Sequence, residues 1–134
     1  MSAHDWEREE WKCEAVRCRH IAVPDVGESE RVLVADVLAR KAWFPVAGLF
    51  ILRDGDAVQY VGLASNPLRL RLTVAISSGK TWTKADYRTW TVTLQRAPSD
   101  YPDDLALERR IIAEHAPPFN VLGRPRREMR AIVQ

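Results

Sequence analysis

Residues 48–72, GLFILRDGDAVQYVGLASNPLRLRL, contain two β-rich apolar runs on either side of Arg-Asp-Gly-Asp, followed by a small-residue turn and a leucine-rich segment carrying two arginines. A polar turn with a central glycine between two such runs predicts a β-hairpin. With Asp54-Gly55-Asp56 as the loop, Arg53 is expected opposite Ala57, and Phe50 opposite Tyr60 on one face of the sheet. Asn66 and Pro67 then form a helix start, with Asn66 as the N-cap and Pro67 at the first helical position. A helix over 67–76 should follow, stopped by the Ser-Ser-Gly-Lys of 77–80.

Outward from the hairpin, residues 87–97 alternate well enough for a third strand, with Trp90, Val92 and Leu94 on one side and Thr89, Thr91 and Thr93 on the other. Residues 105–115 read as a helix ended by Pro117 and Pro118. Upstream, residues 5–20 read as a charged surface helix and 29–43 as a second helix, with Val32, Ala35, Leu38 and Ala42 on one side, broken at Pro45. The expected fold is α/β in the α+β sense: a small, mostly antiparallel three-stranded sheet flanked by helices, spanning 45–122. A helical extension over 1–44 precedes it and a basic tail over 123–134 follows.

At 134 residues with 46% hydrophobic side chains, the chain can build one core. No apolar run reaches the length of roughly 18 residues that spans a membrane, and the acidic start MSAHDWEREEWK is unlike a signal peptide. A cytoplasmic, membrane-free protein is the expectation. Cys13 and Cys18 make no disulfide framework. With His20 and His4 they match no regular zinc spacing. The net charge of +2 is uneven: residues 1–61 carry 8 basic and 11 acidic side chains, residues 62–134 carry 12 and 7. A basic half is compatible with a polyanionic partner such as nucleic acid, and equally with an ordinary solvated surface.

On the 105–115 helix, Leu105, Glu108, Ile111 and Ile112 share one stripe, so Glu108 lies among apolar side chains. A carboxylate there is costly unless it is paired, hydrogen-bonded or bound to a metal. On the 67–76 helix, Leu68 and Leu72 mark the inner stripe with Arg71 beside it. A strand-end tyrosine, an arginine on the next helix and a carboxylate on a later one thus come in order along the chain.

Gly-Leu-Phe at 48–50, Tyr-Val-Gly at 60–62, the arginines of 67–72 and LERRIIAEHAPPFN at 107–120 together resemble the GIY-YIG nuclease superfamily, over residues 46–121. The resemblance implies a divalent-metal-dependent DNA endonuclease. Tyr60 matches the second motif tyrosine, Arg71 the catalytic arginine, Glu108 the glutamate that binds Mg²⁺ or Mn²⁺, and Asn120 the terminal asparagine. Phe50 stands where the first motif has a tyrosine, and Ala75 where relatives often carry His or Tyr. Arg69 competes with Arg71 for the catalytic assignment and is otherwise a phosphate contact. Lys80, Lys84, Arg124, Arg126 and Arg127 are the further expected DNA contacts, with Arg130 in the same tail. Asn120 is either a substrate contact or a turn cap. His115 reads as a helix-dipole contact. Trp82, Tyr87 and Trp90, interleaved with Lys80, Lys84 and Arg88, are either core or a stacking surface. Single-strand breaks are the expected product, and a double-strand cut requires a homodimer or two successive events. The alternative is a nucleic-acid-binding module that keeps the scaffold with weakened chemistry. A third reading is a protein-interaction domain using the tryptophan-rich start.

Overall fold

The computed structural model describes residues 19–64, 67–96 and 104–120. The expected helix over 5–20 lies outside them except for Arg19 and His20, which form a strand instead, and Cys13, Cys18, His4, Asn66 and the arginines of the 123–134 tail also lie outside. Eleven elements follow in chain order among these residues. The first are β1 (Arg19–His20), β2 (Val32–Leu33), α1 (Val34–Leu38), β3 (Ala42–Trp43), β4 (Gly48–Asp54) and β5 (Ala57–Ala64). After them come α2 (Leu68–Ser78), two 3₁₀ turns (Thr81–Lys84 and Tyr87–Thr89), β6 (Thr91–Gln95) and α3 (Asp104–His115). None of the described helices is long and apolar enough to cross a membrane.

The class is α+β and the main sheet is antiparallel, but it has four strands where three were expected, in the order β2-β6-β4-β5. The fourth strand comes from a segment whose pattern reads as helix. Instead of one helix over 29–43, Val32 pairs with Val92 and Leu33 with Thr91. The chain then makes five helical residues and leaves through Arg40, whose φ of 61° lies in the left-handed region. β3 follows, paired in parallel with β1. Val32, Val34 and Val37 are buried along this path, while Ala35, on the expected stripe, is exposed. Ile21, Val34, Ala42 and Phe44 share one core with Phe50, Leu52, Leu72 and Leu94.

The β4–β5 hairpin forms as expected, with a different register. Gly55 and Asp56 make a two-residue turn in which Gly55 alone has positive φ, the arrangement of a type II′ turn. Asp54 pairs with Ala57 and Arg53 with Val58; the ladder then shifts, so that Leu52 meets Tyr60. The two-residue turn and the extra residue of this bulge each shift the register by one, which together move Phe50 opposite Gly62 instead of Tyr60. The two rings still meet diagonally, with centroids 6.0 Å apart. Gly62 provides the space: a Cβ there would sit 2.6 Å from the Phe50 ring.

Alternation divides the sheet between two cores. Phe50, Leu52, Ala64, Val92 and Leu94 face α2, with Leu68, Leu72 and Ala75, together with the buried Trp82 and Trp90. Leu49, Ile51, Val58 and Val61 face α3 through Leu107, Ile111 and Ile112. Leu107 takes the place expected for Leu105, which is 40% exposed. Gly79, in the left-handed conformation, ends α2 as expected.

Gly48 sits where β4 approaches β6 too closely for any side chain, because a Cβ would lie 2.5 Å from the Gln95 carbonyl oxygen. The obstacle is backbone, so it cannot swing aside. Gly48→Ala is therefore expected to lower stability by about 2 kcal/mol, within the range for overpacking a core, read as a reduced urea midpoint with an unchanged m-value.

Candidate active site

Tyr60 projects from β5 into the α2-side core, half buried, its ring 6.0 Å from Phe50 and 6.2 Å from Trp82. Arg71 comes from the first turn of α2, and its Nε donates a hydrogen bond of 3.2 Å to the Leu63 carbonyl at the end of β5. That bond fixes the guanidinium against the strand that carries Tyr60. Glu108, half buried, comes from α3, whose packing on β5 brings it to the same place. Three elements thus bring together a phenol, a guanidinium and a carboxylate that are far apart in the chain.

Their electrostatics show the convergence. Burial pushes the Tyr60 phenol above its ordinary pKa, while the Arg71 charge pulls it down and the Glu108 charge pushes it up. Burial likewise raises the Glu108 carboxyl, against the lowering influence of Arg109 and Arg71. In both groups desolvation wins over the cations, so Tyr60 is a neutral phenol at neutral pH and Glu108 holds its charge at a cost. Of the two arginines in the LRLRL segment, it is Arg71 whose charge acts on both partners. Arg69, half buried as the second residue of α2, accepts a bond from the Thr73 hydroxyl through its backbone carbonyl at 2.8 Å.

A carboxyl whose pKa is raised on folding contributes stability below its unfolded pKa and loses it as pH rises through the folded value. At neutral pH the ionised Glu108 is therefore a net strain, and Glu108→Gln relieves it. The variant is expected to melt about 2 °C higher than wild type at pH 7 and no higher at pH 4, a modest gain of the kind seen when a functional group is removed. Thermal scans at the two pH values check it.

Asn120 is buried, 6% exposed, and both polar atoms of its amide are engaged by β5. Oδ1 accepts from the Val61 N–H at 2.7 Å and Nδ2 donates to the Val61 carbonyl at 2.8 Å. Beside it, the Phe119 N–H donates to the Gln59 carbonyl. The segment after α3 thus covers the outer edge of the strand that holds Tyr60. The Asn120 side chain directs its hydrogen-bonding capacity at the β5 backbone and braces that strand, while its own N–H closes the turn onto the Pro117 carbonyl at 3.2 Å.

The remaining expected positions separate. Phe50, in the place of the first motif tyrosine, is 1% exposed and offers no polar group. Lys80 and Lys84 are exposed on either side of the buried Trp82. Thr81 Oγ1 ties that turn to the Phe119 carbonyl at 2.9 Å. His20 stacks edge-on against Trp43 at 4.8 Å. Among the described residues no group of three His, Cys, Asp or Glu side chains could enclose a metal ion.

On the α3 face, Arg53 is buried in an ionic cluster that its place in an apolar strand gave no reason to expect. Its Nη1 and Nη2 donate to the two carboxylate oxygens of Glu28 at 2.7 and 3.1 Å, and Thr93 joins both. Burial would raise the Glu28 carboxyl, but the bonds from Arg53 and Thr93 outweigh it and hold the pKa below the ordinary value. A buried charge in this strand has to be paired. The only sequence signal is Arg53 itself, at an inward position.

Comparison with family models, with curated proteins and with solved structures identifies no match for this chain.

Proposed function

We propose that this chain is a divalent-metal-dependent DNA endonuclease that makes single-strand breaks. The observation that carries the reading is the convergence of β5, α2 and α3 beside the Leu63 carbonyl, where the Arg71 guanidinium is held and its charge acts on both the Tyr60 phenol and the Glu108 carboxyl. The donor chemistry fits Mg²⁺ or Mn²⁺: one half-buried carboxylate whose burial outweighs the nearby cations is an oxygen donor of the kind a hard cation accepts, the rest of its shell coming from phosphate and water oxygens. Glu108 would hold the ion, which when bound supplies Lewis acidity to the phosphoryl and departing oxygens.

The protein's own groups do the rest. Arg71, always charged and held through Nε by Leu63, presents its remaining N–H donors to the non-bridging phosphate oxygens, where charge builds during displacement. Tyr60, a neutral phenol backed by Trp82, is both donor and acceptor and orients the attacking water. Phe50 and Trp82 wall the inner side of that phenol. Lys80 and Lys84 extend the positive surface along the DNA backbone. A double-strand cut by one such site needs a second copy or a second event.

A labelled panel of single-stranded, duplex and branched DNA, incubated with Mg²⁺, with Mn²⁺ or with EDTA, tests the proposal. Metal-dependent nicking that disappears in Glu108→Ala is the expected outcome. A second reading, a nucleic-acid-binding module that keeps the scaffold, is favoured by Phe50, which supplies no hydroxyl at the first motif position. Binding to the panel without cutting under either metal selects that module and overturns the endonuclease.

A further inference from the structure

Between Lys80 and Trp90 three aromatic side chains alternate with cationic ones, and the fold separates their roles. Trp82 and Trp90 are 0% and 3% exposed, which removes both as platforms for a ligand. Tyr87 is half buried and packs edge-on against Trp82 at 5.3 Å. It lines an open concavity of about 310 Å³ together with Lys84, Ala85, Asp86 and Arg88. Asp86 holds the Arg88 guanidinium at the rim, accepting from Nε at 3.0 Å and from Nη2 at 3.4 Å. Since Asp86 offsets the Arg88 charge, the positive field of the concavity rests mainly on Lys84.

Trp82 also touches the Tyr60 ring, at 6.2 Å, so the concavity and the candidate active site meet across one buried indole. The two tyrosine rings are therefore no more than about 12 Å apart, a span of about three nucleotides at the roughly 3.4 Å rise of a stacked strand. We propose that this concavity is a nucleotide subsite that holds an unpaired base of the substrate strand on the Tyr87 ring, with Lys84 against a flanking phosphate. The inference rests on the endonuclease reading and adds a substrate class to it. A paired base has both faces covered by its neighbours, whereas an unpaired one can stack on an aromatic ring. The subsite therefore selects single-stranded or locally opened DNA.

Fluorescence anisotropy of a fluorescein-labelled oligothymidylate and of a duplex of the same length, both in EDTA, tests this. Tyr87→Leu keeps an apolar contact with Trp82 but removes the ring, and is expected to weaken single-strand binding about tenfold, in line with the loss of one stacked base. Tyr87→Phe should bind within about twofold of wild type, and duplex affinity should be unchanged in both. Lys84→Ala, at an exposed position, should weaken binding and reduce the salt slope by about one. Single-strand binding by Tyr87→Leu equal to wild type, equal losses on single strand and duplex, or no binding by wild type would each overturn the subsite. Metal-dependent cleavage measured in parallel separates the two claims. Normal cleavage with binding independent of Tyr87 removes the subsite alone, while Tyr87-dependent binding without cleavage removes the endonuclease and leaves the subsite.

Discussion

Arg71→Ala is expected to lower metal-dependent cleavage by about a thousandfold in kcat, with a much smaller change in KM, because it removes donors aimed at charge that develops in the transition state. The fold should survive the change. Arg71 is half buried and gives one hydrogen bond to the Leu63 carbonyl, whose loss costs about 1 kcal/mol. Arg71→Lys should recover little activity, since an ammonium cannot hold Leu63 and face two phosphate oxygens at the same time. Removing the cation that lowers the Tyr60 phenol also leaves burial and Glu108 unopposed, so any alkaline limb of the pH–rate profile set by this phenol should move to higher pH. Arg69→Ala is the control. If it abolishes cleavage while Arg71→Ala cleaves normally, the catalytic assignment passes to Arg69.

Asn120→Asp should produce the largest loss of stability among these variants. The substitution keeps the shape and the acceptor for the Val61 N–H, but replaces the donor that satisfies the Val61 carbonyl with a second carboxylate oxygen. A charged oxygen then faces a carbonyl oxygen at a position only 6% exposed. An unsatisfied buried group costs about 1–3 kcal/mol and more when charged, so a loss of about 3 kcal/mol at pH 7 is expected. The new carboxyl would have its folded pKa raised, so its penalty should shrink as pH falls, when a protonated oxygen can again donate to Val61. Urea midpoints of the variant against wild type at pH 7 and pH 4 measure both effects. A loss that does not change with pH would show that shape, not charge, is responsible.

Local chemistry made part of this architecture legible. Asp54-Gly55-Asp56 between two apolar runs announced the hairpin, Gly79 ended α2, and the paired prolines after Ala116 ended α3, because turns and caps depend on residues a few positions apart. The register was not legible, since the bulge before Tyr60 depends on how β4 and β5 pack on their two cores. Val32 fits the helix stripe expected over 29–43 as well as a strand. Its path is decided by pairing with β6, about sixty residues away, and by the Val34 N–H bond to the Trp90 carbonyl that follows. Tyr60, Arg71 and Glu108 were marked by residue type and order along the chain, and the fold brings them within electrostatic reach of one another. The partners of Asn120 and Arg53 are long-range backbone and ionic contacts that no local spacing encodes. On α3, Glu108 was picked out by its apolar surroundings, yet Leu107 and not Leu105 faces the sheet, because the stripe follows the surface that the helix meets.

The claim that Tyr60, Arg71 and Glu108 form one catalytic unit is tested most directly by a double-mutant cycle in Mg²⁺-dependent DNA cleavage, using Arg71→Ala, Glu108→Ala and the double variant under single-turnover conditions. Residues that act on one transition state lose function together, so the double variant is predicted to cleave at about the rate of the slower single variant. Losses that simply multiply, or cleavage that survives Glu108→Ala, would contradict a shared site.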